Sequence, residues 1–99
     1  MLHKTIFLVH YSVNGAKSTY GYFNYLDAEV CKDEALEMIS ELFDPYGEQS
    51  YAYIEQRELG EWINSLKEIH KDSEIISIIK RTFGDKAEKI KRILNGEYE

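Results

Sequence analysis

Residues 4–25 read KTIFLVHYSVNGAKSTYGYFNY, and the organisation of the chain follows from them. Lys4 to Tyr11 is β-branched and aromatic with little polar alternation. Ile6 and Leu8 point to one face, Phe7 and Val9 to the other. A strand apolar on both faces belongs at the centre of a sheet, covered on both sides. Asn14-Gly15 is the strongest short-range hairpin signal, because both residues tolerate the positive φ of a type I′ turn. Ser18 to Tyr25 then returns as a second strand, where Gly21 predicts a bulge or a close backbone approach.

Outward from the hairpin, Asp27 reads as an N-cap for a helix from Ala28 to about Phe43. Its apolar face is Cys31, Ala35, Met38, Ile39 and Leu42, and Asp44-Pro45-Tyr46-Gly47 stops it. Ser50 to Gln56 reads as a third strand. A second helix is expected from about Glu58 to His70, with Leu59, Trp62, Ile63, Leu66 and Ile69 at helical spacing. Ser73 caps a third, bearing Ile75, Ile76, Ile78, Ile79 and Phe83 and ending at Gly84. Asp85 and Glu88 resemble a capping box for a last helix that stops at Asn95-Gly96.

The order β-β-α-β-α-α-α gives an α+β fold. The hairpin makes strands 1 and 2 antiparallel, and a right-handed crossover returns strand 3 parallel to strand 2. Docked on the free edge of strand 1, it completes a three-stranded antiparallel sheet in the order 2-1-3. The crossover helix is expected on one face, with the C-terminal helices on the other or at one end. At 99 residues the chain reads as a single domain, 1–99, made of a ββαβ unit (1–56) and a helical extension (57–99).

Charge is distributed unevenly. The net charge is −6, yet Asp27–Glu61 holds eleven carboxylates against only Lys32 and Arg57, whereas His70–Glu99 is nearly balanced. The middle of the chain repels nucleic acid and attracts a basic surface. Cys31 is the only cysteine, which excludes an internal disulfide and a cysteine zinc site. No apolar run approaches the roughly 20 residues that span a bilayer. The N-terminal run reads as a strand rather than a signal peptide, so a cytoplasmic protein without membrane contact is expected.

Glu29, Asp33, Glu37 and Glu41 follow one another at intervals of four, with Asp44 after them. On a helix they form a winding stripe with steps of about 6 Å along the axis. Like charges at this spacing cost about 0.2–0.5 kcal/mol per pair, so folding alone gives no reason to align them. The stripe suits a basic partner, and it is equally what a solvated helix face displays. Glu48, Glu55, Glu58 and Glu61 are further candidates, with Tyr46 and Tyr51 as aromatic anchors beside the charge. Tyr20, Tyr22, Tyr51 and Tyr53 alternate on the outer strands, where they either pack beneath the C-terminal helices or form a contact patch.

The segment Ile75–Leu94 resembles a DNA-binding helix-turn-helix, which assigns Lys86, Lys89 and Arg92 to DNA. Lys80 stands where that motif carries a small residue, and Asp85 where it carries an apolar one. Catalysis has no signature: His3, His10 and His70 lack metal-ligand spacing, and neither a phosphate loop nor a nucleophile elbow occurs. His10 is near Asp27 or a tyrosine only if the fold brings them together. Neither a metal nor a cofactor is expected, and Cys31 reads as a core thiol.

In size, charge and composition the chain resembles the small acidic single-domain proteins with which bacteriophages and mobile elements inhibit host nucleic-acid enzymes, anti-CRISPR proteins among them. That resemblance implies a binding protein, not an enzyme, that inhibits or regulates a basic, nucleic-acid-handling partner. The alternatives are a DNA-binding regulator and a homo-oligomeric scaffold, a homodimer included, in which the acidic middle of one copy meets the basic end of another.

Overall fold

Asn14 (φ 55°) and Gly15 (φ 91°) both adopt the left-handed conformation of a type I′ turn. The turn joins β1 (Thr5–Val13) to β2 (Ala16–Tyr22). The computed structural model describes residues 4–41 and 50–94. Pairing runs in unbroken register from Val13 opposite Ala16 to Phe7 opposite Tyr22. Gly21 therefore sits in the regular ladder opposite Leu8, so of the two alternatives the bulge is absent from this pair of strands. The ladder sorts Phe7, Val9, Tyr11, Tyr20 and Tyr22 to one face and Leu8, His10, Ser12, Thr19 and Gly21 to the other. With β3 (Tyr51–Glu58) the sheet is antiparallel and ordered β2-β1-β3, so the most apolar strand is central.

Helix α1 (Tyr25–Ser40) connects β2 to β3. It starts one turn earlier than the sequence predicts. Asn24, not Asp27, is the N-cap: its Oδ1 accepts the Asp27 N–H (2.9 Å) while its Nδ2 donates to Asp27 Oδ2 (2.7 Å). Both residues are cap formers; this reciprocal pair puts Asn24 outside the helix and Asp27 in the first turn. The buried stripe is narrow: two alanines, Ala28 and Ala35, and Ile39. Met38, expected on it, is 45% exposed. Leu42, Phe43 and the predicted stop at Asp44–Gly47 lie outside the described residues.

The chain divides into two compact units. One is Phe7–Gln56, the sheet with α1. The other joins the described residues before Phe7 to those from Arg57 onward. In the latter, α2 (Leu59–Lys67) begins where the Leu59 N–H donates to the Lys4 carbonyl (2.8 Å). It ends before the predicted His70, and Ile69, beyond the helix, is 79% exposed instead of packed. Helix α3 (Asp72–Phe83) is preceded by Lys71 rather than capped by Ser73; the Lys71 N–H donates to the Glu74 carboxylate (2.9 Å).

Gly84 (φ 56°) closes α3 in a conformation that favours glycine. A single 3-10 turn, Gly84–Lys86, then leads into α4 (Ala87–Leu94). Asp85 thus lies inside that turn and not at a helix cap. Leu59, Trp62, Ile63, Ile75, Ile79, Phe83, Ala87, Ile90 and Ile93 are buried, with Trp62 edge-on to Phe83 at 5.4 Å between ring centres. Among the described residues no helix is long and apolar enough to cross a membrane.

Candidate functional site

Glu29, Asp33 and Glu37 fall on α1 and Glu41 is its C-cap residue, and the four drift around the helix axis as a four-residue step requires. Glu29 is half-buried on the flank; Asp33, Glu37 and Glu41 are exposed. Among the described residues no lysine or arginine forms an ion pair with any of the four. Lys32 lies on the flank instead, lining a shallow groove of about 340 Å³ with Phe7, Tyr25, Ala52, Ile54 and Gln56.

The outer line of α1 is not purely acidic. Leu26 is 71% exposed and Val30 58% exposed, and both sit on the line that carries Asp33 and Glu37. Sequence reading missed them because it followed the carboxylate spacing. The signal was present: steps of four, three and four from Leu26 reach Val30, Asp33 and Glu37.

The other predicted contacts are scattered. Asp44, Tyr46 and Glu48 lie outside the described residues. Tyr51 is exposed on β3 and packs against Tyr53 (5.8 Å), on the sheet face opposite the one bearing Phe7 and Tyr22. Glu55 is not a free acid: its Oε1 accepts from His10 Nε2 at 2.8 Å. Glu58 is half-buried and held by interactions within the chain, whereas Glu61 is exposed in the first turn of α2. These two belong to the unit that starts again at Arg57.

His10 is the hub of a second cluster. Its partners are Glu55, Thr19 (Nδ1 to Oγ1, 3.1 Å) and the Tyr53 ring (5.1 Å). Of the two neighbours sequence reading weighed, the tyrosine is present; Asp27 bonds Asn24 instead. A carboxylate only accepts. His10 in its neutral form therefore donates from Nε2 to Glu55, and Nδ1 accepts the Thr19 hydroxyl. A hydroxyl, imidazole and carboxylate in series are the parts of a nucleophilic relay. Here they come from three neighbouring strands of the sheet. The cluster clamps β1, β2 and β3 together. The separation of 45 residues between His10 and Glu55 hid it from sequence reading.

Beneath α1, Tyr22 is hydrogen-bonded with Cys31 and lies near Glu34; burial first, then these neighbours, pushes its hydroxyl well above the usual tyrosine range. Burial and a hydrogen bond with Tyr20, whose ring stacks on it at 5.8 Å, likewise raise Tyr11. Both hydroxyls stay protonated in the fold after unfolded tyrosines begin to ionise near pH 10. The folded state then holds the extra protons, so stability falls as pH rises above about 10. Denaturant titrations at about pH 8 and about pH 11 are expected to show this loss, and the loss is expected to be smaller in Tyr22→Phe.

The helix-turn-helix candidates do not form a cationic row. Lys86 and Lys89 are half-buried and interact within the chain, and of the three only Arg92 is exposed. No three metal-ligating side chains gather among the described residues. No family model, no curated protein and no solved structure matches this chain.

Proposed function

We propose that this chain is a cytoplasmic binding protein, not an enzyme, that inhibits or regulates a basic protein partner whose cationic surface handles nucleic acid. The observation that carries the reading is the outer face of α1, where Asp33, Glu37 and Glu41 are exposed and meet no lysine or arginine among the described residues. Aligned carboxylates without cations destabilise a helix slightly, and a basic partner offsets that cost on binding. Such charge accelerates encounter and makes it sensitive to salt.

The test is to immobilise the chain and offer it a lysate of its own host cell at low salt. The expected result is retention of basic nucleic-acid-binding proteins, released by raising the salt and displaced by duplex DNA competing for the same cationic surface. Retention of no basic protein, or retention indifferent to salt, overturns the reading. So does a low-salt gel shift of duplex DNA by the chain itself, which assigns it to DNA binding.

A further inference from the structure

We infer that the outer seam of α1 receives a basic amphipathic helix of the partner, anchored on Leu26 and Val30; this rests on the binding reading above. Starting at Leu26, alternating steps of four and three residues reach Val30, Asp33, Glu37 and Ser40. That alternation is the heptad seam a helix presents to another helix lying along it. A strict four-residue stripe drifts off such a line, whereas this one stays on it. Every residue of the seam is exposed, and its two apolar members are among the most exposed large hydrophobic side chains of the described residues.

The seam has two halves. Its N-terminal half is apolar and its C-terminal half acidic, with Glu41 beside Ser40. The complementary occupant has leucine-like side chains facing Leu26 and Val30, and arginine or lysine facing Asp33, Glu37 and Glu41. A second α1 does not fit. Laid parallel it sets carboxylate on carboxylate, and laid antiparallel it sets Leu26 and Val30 against Glu37 and Ser40 of the other copy. The apolar half fixes residence and the acidic half fixes approach and polarity.

Two synthetic helical peptides of equal composition test this on the full chain. One carries two leucines and three arginines along a single seam; the other places the arginines on the face opposite the leucines. The seamed peptide is expected to bind at least tenfold tighter at physiological salt. The Leu26→Ser/Val30→Ser double variant, altered only at exposed positions, is expected to reduce it to the level of the control.

Equal binding of the two peptides, unchanged by the double variant, overturns the seam and leaves the acidic-binder reading intact. Binding of neither peptide at low salt overturns both. A concentration-dependent dimer that the double variant dissolves assigns the face to a second copy and also overturns the proposal.

Discussion

Replacing Phe83 with alanine is expected to remove about 3–5 kcal/mol of unfolding free energy. Phe83 is 1% exposed and is among the largest fully buried side chains of the described residues. It ends α3 at the point where Gly84 turns the chain toward α4, and it meets the edge of Trp62. Truncation loses the transferred area, the edge-to-face contact and the neighbours that cannot collapse into the void. A chain of this length is typically held by about 5–15 kcal/mol. The variant should therefore melt far earlier, by on the order of 12–40 °C, or fail to fold at growth temperature. Phe83→Leu keeps most of the volume and should cost much less. Trp62 is the single tryptophan, so its fluorescence during denaturant titration reads this core directly. A loss below about 1 kcal/mol would mean that the site relaxes around the cavity and that Phe83 does not organise these helices.

The sheet was legible because its signals are local and agree with one another. Asn14-Gly15 dictates the hairpin, and the two-sided apolar pattern of residues 6–9 allows only the central position. Element ends were less legible where two cues compete. Asn24 and Asp27 are both cap formers three residues apart, and only the bonds between them decide which one lies outside the helix. Ile69 continues the helical period of α2 past the point where the backbone leaves the helix, so periodicity overextended it. Met38 fits a broad apolar face, yet the stripe that packs is narrow, only Ala28, Ala35 and Ile39 being buried.

The candidate site divides along the same line. The carboxylates of α1 were legible because spacing along one helix is a local property. The role of Glu55 was not, since its pairing with His10 depends on the β1–β3 register. The spacing of Leu26 and Val30 is just as local, but their exposure is not. Exposed apolar residues acquire meaning only once burial is known.

Reversing Asp33, Glu37 and Glu41 to lysine together is expected to weaken binding to a basic partner by roughly one to four decades. An exposed carboxylate facing a cation contributes about 0.2–1 kcal/mol, and a lysine in its place opposes that cation by a similar amount. Most of the loss should fall on the association rate and shrink as salt rises. The fold should persist, because the three side chains are exposed and one set of like charges replaces another. The single change Glu37→Lys separates function from fold more sharply. It places a cation between Asp33 and Glu41 and turns two repulsive pairs into attractive ones, with Asp33 in the favourable orientation N-terminal to the lysine. Stability should rise by about 1–2 kcal/mol while partner binding falls. A helix face that serves only to be wetted gains the stability and loses nothing. Urea titration and binding kinetics on this one variant therefore decide between the two: opposite signs support a docking face, and a stabilised variant with undiminished binding makes the acidic stripe ordinary solvated surface.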